Sequence, residues 1–247
     1  MEALGIIMAA GKGTRMKSDL PKPVVKLKDK PLSQYIIEAF HDAGVKEVAL
    51  VVGYKSEIVK QILGNNNIYI EQKEQKGTGH AIMQTKDKLN WQGKDLFIFV
   101  GDSPLIKSST IKRLFEHHKN TDADCTFLSA DFDIQLPYGR VVRENGKLVK
   151  CVEEKNASPE ELKIRELLTS HFIFKASSLY KYLFDIKPDP DNDEYYLTEI
   201  LEIFIRKNLK VEILKINRYE ELVGLNTPED LAWAEDILNK RNNGRAE

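Results

Sequence analysis

No stretch of this chain is apolar for long enough to cross a bilayer, and its first residues carry neither a basic start nor a long apolar core. Neither a membrane span nor a secretory leader is therefore expected. Cysteine is scarce. Cys125 and Cys151 lack any CxxC spacing and sit in strand-like runs, which argues against a disulfide framework and predicts buried, reduced thiols in a cytoplasmic protein. Neither sign of charge is in excess, with 37 Lys and Arg against 38 Asp and Glu, so no global field recruits nucleic acid or an anionic membrane. The five histidines, His41, His80, His117, His118 and His171, have no metal-ligand spacing, and His117 and His118 read as a solvated helix end. No linker, repeat or low-complexity stretch appears before the polar tail 242–247. One domain is expected over 247 residues, a length at which α/β folds are often single.

What is present alternates. An apolar run, Leu4–Met8, reads as a buried strand; a helical pattern spans about Leu32–Ala43, with Ile36, Ala39 and Phe40 on one face and Gly44 as its stop. Glu47–Gly53 is the next strand, followed by a helix carrying Ile58, Ile62 and Leu63. Asp95–Gly101 is a fully apolar strand, and Ser108 or Ser109 can cap a helix bearing Ile111, Leu114 and Phe115. Strands and helices in this alternation predict an α/β fold, a mostly parallel sheet covered on both faces. The second half is richer in strands: Asp124–Ala130, Arg140–Arg143, Lys147–Val152, Phe172–Lys175 and Lys210–Ile216. Asn145-Gly146 is the strongest hairpin signal. Thr227-Pro228-Glu229-Asp230 opens a last helix with a capping box, behind a strand-like Glu220–Gly224.

The first strand runs into Ala9-Ala10-Gly11-Lys12-Gly13-Thr14-Arg15, with Lys22 just behind. Small residues let backbone N–H groups approach phosphate oxygens, glycine tolerates the positive φ such a cradle needs, and Arg15 and Lys22 add positive charge. Two familiar glycine signatures are excluded. Lys12 is followed by Gly13 rather than Ser or Thr, so this is not a P-loop, and Met16 stands where the dinucleotide fingerprint needs a third glycine. The segment suits a nucleoside triphosphate.

Asp102 lies at the carboxyl end of the most apolar strand, where ligands collect in open parallel sheets, and is a candidate oxygen ligand for Mg²⁺. Asn226 is a possible second oxygen. Within Glu71–Ala81, Gln72 and Gln75 offer amides, and Gly77 and Thr78 offer backbone groups and a hydroxyl, a mixture suited to the edge of a base. Tyr138-Gly139-Arg140, Val152–Lys155 and Glu194–Thr198 are polar–aromatic clusters of the kind that reads sugar hydroxyls.

The ordered series AAGKGTRM, LPK, QKGTGHA, GDSPL, YGRVVREN, VEEKNAS, EYYLTEI and GLN resembles the uridylyltransferase domain of the N-acetylglucosamine-1-phosphate uridylyltransferase family, from Met8 to Asn226. The resemblance implies a Rossmann-like nucleotidyltransferase fold with a mixed central sheet, a nucleotide-binding half (1–120) and a sugar-binding half (121–241). It also implies that a sugar 1-phosphate attacks the α-phosphate of UTP, releasing pyrophosphate. On this resemblance Met8, Ala9, Gly11, Gly13, Thr14, Gln72, Gly77 and Thr78 bind the nucleotide, and Arg15 and Lys22 are catalytic. Asp102 and Asn226 hold Mg²⁺, and Gly139, Glu153, Tyr196 and Thr198 contact the sugar. Two positions depart from the family pattern: Leu168-Thr169-Ser170 replaces an Asn-Thr-Gly on the sugar side, and Val100 replaces an aromatic. The family's acetyltransferase hexapeptide repeats are not expected, and the sequence specifies no oligomeric state. Rival readings are a transferase of CTP to a non-sugar phosphate and a catalytically idle nucleotide-sugar sensor.

Overall fold

The computed structural model describes residues 1–243. Its first strands are β1 (Ala3–Ala9), β2 (Lys26–Leu27), β3 (Lys30–Pro31), β4 (Glu47–Val52), β5 (Ile68–Glu71) and β6 (Asp95–Val100). They are followed by β7 (Cys125–Asp131), β8 (Gly139–Glu144), β9 (Lys147–Val152), β10 (Glu166–Lys175) and β11 (Val211–Lys215). The helices are α1 (Leu32–Ala43), α2 (Ser56–Leu63), α3 (Gly77–Met83), α4 (Ser108–Thr121), α5 (Ala176–Tyr182), α6 (Glu199–Arg206) and α7 (Pro228–Asn242).

The main sheet runs β11-β7-β10-β6-β1-β4-β5, with β8 and β9 branching from β10. β1 pairs parallel with both β4 and β6, whereas β10 lies antiparallel between β6 and β7. The sheet is therefore mixed, with one reversed strand wedged into a row of parallel ones, and helices cover it. Side chains of β1 alternate between two cores. Ala3, Ile7 and Ala9 join Phe40, Phe97, Phe99, Ile111 and Leu114 on one face; Leu4 and Ile6 join Ile98, Leu179, Leu201 and Phe204 on the other. Burial on both faces explains why β1 and β6 read as continuous apolar runs. Because the chain leaves β1 for neighbours on opposite sides, the carboxyl end of β1 is a topological switch point, which opens a crevice in such sheets.

Three local expectations are corrected. The start of α4 is capped by neither Ser108 nor Ser109. The buried Glu221 carboxylate takes the Lys107 N–H at 3.1 Å and the Thr110 hydroxyl at 2.6 Å, supplying the capping oxygen from across the chain. Glu221 can do so because 219–222 form a short 3₁₀ turn rather than the expected strand. His118 is buried, not solvated: it continues the inward stripe of Ile111 and Leu114, and its Nδ1 lies 3.0 Å from the Thr126 hydroxyl. The hairpin follows its signal, with Asn145 and Gly146 both at positive φ between β8 and β9. β10 begins earlier than its apolar run, at Glu166, and shifts register between Leu168 and Phe172, where Ser170 takes φ +58°. The tail beyond Asn243 lies outside the described residues.

Candidate active site

A cavity of about 430 Å³ opens at the carboxyl ends of β1 and β6. Met8, Ala9, Gly11, Gly13, Thr14, Arg15 and Lys22 line it from the first loop, Gln72, Gly77 and Thr78 from the β5–α3 turn, Asp102 from the end of β6 and Asn226 from just before α7. The first loop needs its glycine at 13. Gly13 has φ +61°, and a Cβ there would lie 2.5 Å from Lys22 Cβ. Gly11 meets nothing within 4 Å, so its surface is open to a ligand.

At the floor of the cavity one ammonium joins two oxygens. Lys22 Nζ donates to Asp102 Oδ2 and, at 2.8 Å, to Asn226 Oδ1; a guanidinium nitrogen of Arg15 reaches the same Asn226 oxygen at 2.9 Å. The Asn226 amide is oriented by its neighbours. Its Nδ2 donates to the Gly224 carbonyl at 2.9 Å, which turns Oδ1 toward the cations, and its backbone N–H donates to Asp230 at 2.6 Å. Asp230 also closes the capping box on Thr227, so the start of α7 sets the position of Asn226. Gly224 heads the GLN run, but the sequence reading gave it no role of its own. A Cβ there would stand 2.8 Å from Asp102 Oδ1, so only glycine lets the carboxylate seat itself against this backbone. The Gly224 N–H in turn donates to the Tyr138 hydroxyl at 2.9 Å, and burial pushes that phenol up to about 12.

A carboxylate and a carboxamide oxygen already converging on one cation suit a hard divalent ion. Among the described residues no cluster of three or more His, Cys, Asp or Glu is placed to hold a metal, so water and phosphate would complete the coordination of an ion here. His171, buried within β10, is pushed down to about 4 by desolvation, against the nearby negative charge of Asp102, and stays neutral.

The β5–α3 turn is tied to the segment 195–197. Gly79 N–H donates to the Tyr195 carbonyl at 2.7 Å, Tyr195 N–H to the Lys76 carbonyl at 2.9 Å, and Leu197 N–H to the Thr78 hydroxyl at 3.0 Å. Gly77, at φ +87°, permits this: a Cβ would lie 2.6 Å from Tyr195 O. The Thr78 hydroxyl thus accepts one bond as a brace and keeps its hydrogen to donate.

Gly139, Glu153, Tyr196 and Thr198 do not line the main cavity. Glu153 accepts from the Thr198 hydroxyl at 2.6 Å, and both line a separate hollow of about 100 Å³ beside Glu199 and Glu202. The Tyr196 hydroxyl accepts from Asn192 at 2.6 Å, and Gly139 pairs with Leu168 in the sheet. Arg140 is buried and donates to the carbonyls of Leu136, at 2.9 Å, and Tyr138, so it braces its own turn and is not offered to a ligand. Glu194 of the same aromatic cluster does reach the main cavity, as do Val100, Gly101 and Gln75. Position at the end of the apolar β6 run was the signal for Val100 and Gly101; Glu194 had none beyond its cluster.

Comparison with known proteins bears on this arrangement. The chain is 40% identical over 243 residues to the bifunctional protein GlmU of Caldanaerobacter subterraneus subsp. tengcongensis, and 36% identical over 244 residues to that of Staphylococcus carnosus. Each alignment covers 98% of this chain but 53% and 54% of the relative, so the chain spans about half the length of these relatives. The fold matches the crystal structure of a UDP-glucose pyrophosphorylase complexed with UDP-glucose, with a TM-score of 0.76 at 20% identity, covering 98% of this chain and all of that one. The nucleotidyl transferase family model matches residues 4–235, from β1 through the glycine loop, Asp102 and Asn226 into α7, and the chain accordingly belongs to the nucleotidyl transferase family.

Proposed function

We propose that this protein transfers UMP from UTP to a hexose or hexosamine 1-phosphate, giving a UDP-sugar and pyrophosphate. The observation that carries the reading is the convergence of Lys22, Asp102, Asn226 and Arg15 on one point beneath a glycine loop. The UDP-glucose bound to the structural neighbour and the ordered motifs shared with the uridylyltransferase family support a uridine nucleotide and a sugar acceptor.

The chemical difficulty is the approach of two anions, a phosphate monoester and a triphosphate. Catalysis of such an in-line displacement is mostly positioning and charge neutralisation. Arg15 and Lys22 neutralise the pyrophosphate and α-phosphoryl oxygens, and the loop from Met8 to Thr14 holds the triphosphate against them. Asp102 and Asn226 would hold a divalent ion such as Mg²⁺, which would supply positive charge to offset the repulsion between the two anions. No general base is required, because the attacking phosphate oxygen is already ionised at neutral pH. Glu153, Tyr196, Thr198 and Gly139 are proposed for the sugar side. Leu168, buried in β10, offers no amide to an acetamido group, so hexose and hexosamine acceptors are both candidates.

Pyrophosphate release, measured with UTP, CTP, dTTP and GTP against a panel of hexose and hexosamine 1-phosphates, tests the reading. Turnover with UTP and at least one sugar phosphate is expected. Turnover with CTP and a non-sugar phosphate, or binding without turnover, would overturn it. Lys22→Ala is expected to lose roughly 10²–10³ in turnover, the cost of removing one group that stabilises transition-state charge. A loss below about fivefold removes Lys22 from the mechanism.

A further inference from the structure

Gln72 is the buried amide of the cavity, 3% exposed, and both hydrogens of its amide nitrogen are committed. That nitrogen lies 3.1 Å from the Gly77 carbonyl and 3.0 Å from Nδ1 of His80. A backbone carbonyl can only accept, so the group facing it must be the –NH₂, which fixes which end of the amide is which. Oε1 takes part in neither bond and is not sealed from solvent, and Gln72 lines the cavity, so this oxygen is the end of the amide left for a ligand.

His80 takes the second hydrogen of that –NH₂ and so shares with the Gly77 carbonyl in holding the orientation. When neutral, an imidazole accepts at one ring nitrogen and donates at the other. Here both ring nitrogens face amide nitrogens. Nδ1 faces Gln72, while Nε2 lies 3.1 Å from the Gln84 amide, which also donates to the His80 carbonyl at 3.1 Å. The ring can accept from one glutamine only. Gln84 and His80 border an open surface hollow with Glu71 and Lys88, where water can take up a displaced amide hydrogen. Gln72 has no such outlet, and an unpaired buried donor carries its full desolvation cost, so its claim on the ring prevails. The Tyr195 ring, with its centroid 6.2 Å from that of His80, and the Gly79–Tyr195 backbone bond hold the imidazole in place.

We propose that His80 is a positioning residue for base selection: as its Nε2–H tautomer it fixes Gln72 with the amide oxygen toward the base, so that the site demands an N–H at ring position 3. Uracil has that hydrogen; cytosine has a lone pair there and is repelled. An amide released from His80 is held only by the Gly77 carbonyl, so it turns its –NH₂ to the base more readily and rejects cytosine less strongly. This rests on the uridylyl reading above and deepens it.

The test compares UTP and CTP binding by calorimetry, alongside turnover, in the intact wild-type chain and in His80→Phe, His80→Asn and Gln84→Leu. His80→Phe keeps the ring shape without an acceptor. Its UTP-over-CTP preference should fall about tenfold, one hydrogen bond's worth, expressed in KM with kcat nearly unchanged. His80→Asn can place a carboxamide oxygen near the former Nδ1 and should restore most of the preference, while Gln84→Leu should leave it intact. Nitrogen NMR of the neutral wild-type ring should find Nδ1 bare and Nε2 protonated, a readout independent of whether any variant folds. Full preference in a folded His80→Phe, equal loss in His80→Phe and His80→Asn, loss in Gln84→Leu, or a proton on Nδ1 would each overturn the inference while leaving the transferase reading standing. A wild-type chain that neither binds UTP nor releases pyrophosphate would instead overturn that reading, and this inference with it.

Discussion

Asp102 is seated by what its neighbour lacks. Gly224 packs against the carboxylate so closely that one added methyl must displace it. Gly224→Ala is therefore expected to lower turnover by about 10²-fold, the scale set by an ångström of misplacement at a reacting centre. Thermal unfolding should change little, and activity within fivefold of wild type would show that the carboxylate can relocate. Away from the cavity, Glu166 is a second carboxylate governed by its contacts. Burial alone would raise it, but the two-pronged Arg143 guanidinium, at 2.7 and 2.8 Å, and the Ser129 hydroxyl at 2.7 Å more than reverse this and leave it below the ordinary range. A folded value below the unfolded one means that this stabilisation is present above about pH 4.5 and is lost as pH falls through the folded value. In Arg143→Met burial acts with far less opposition, so acid unfolding should begin at higher pH. Stability at pH 7 should drop by about 1–3 kcal/mol, as for a partly buried charge losing its partner. Urea titrations at pH 7 and pH 4 measure both effects.

At the scale of elements, α4 and α7 begin differently. α7 carries its own cap in Thr227 and Asp230, which is why its start was legible as a four-residue pattern. α4 borrows its capping oxygen from Glu221, more than a hundred positions away, and no local pattern could announce it. Glu221→Ala is expected to cost about 1–3 kcal/mol, since it strips the partner from the Lys107 N–H and the Thr110 hydroxyl in a buried setting. Chemical denaturation, with amide exchange over the first turn of α4, checks this; a change under 0.5 kcal/mol would mean that water replaces the cap. The hairpin at Asn145-Gly146 is the opposite case, because positive φ at both turn residues is a property of those residues themselves.

The whole molecule is organised by β10, which lies between β6 of the first half and β7 of the second and pairs with both. Neither half can complete its sheet alone. We propose a single cooperative unit, and expect one urea transition with coincident circular dichroism and tryptophan signals and no folded fragment from residues 1–120. Two separated transitions would refute it. α7 ties the late part of the chain to its middle: Arg241 donates to the Leu105 carbonyl at 2.8 Å, beside the loop that carries Asp102.

The amino-acid order by itself determined whatever depends on neighbours along the chain. The apolar strands are legible from burial on both faces, the glycine loop from its small residues, the Asn-Gly turn from its conformational freedom and the last helix from its capping box. It also marked Asp102 by its place at a strand end and Arg15 and Lys22 by their charge beside the glycine loop, whereas Asn226 stood out only through the family resemblance of the ordered motifs. Tertiary structure alone decided what joins distant segments: Lys22 between Asp102 and Asn226, Gly224 against Asp102, and Glu221 on α4. A hydrogen bond or a close approach across a hundred residues leaves no periodicity behind. It exists only once both cores have closed on the sheet and brought its donor and acceptor within 3 Å.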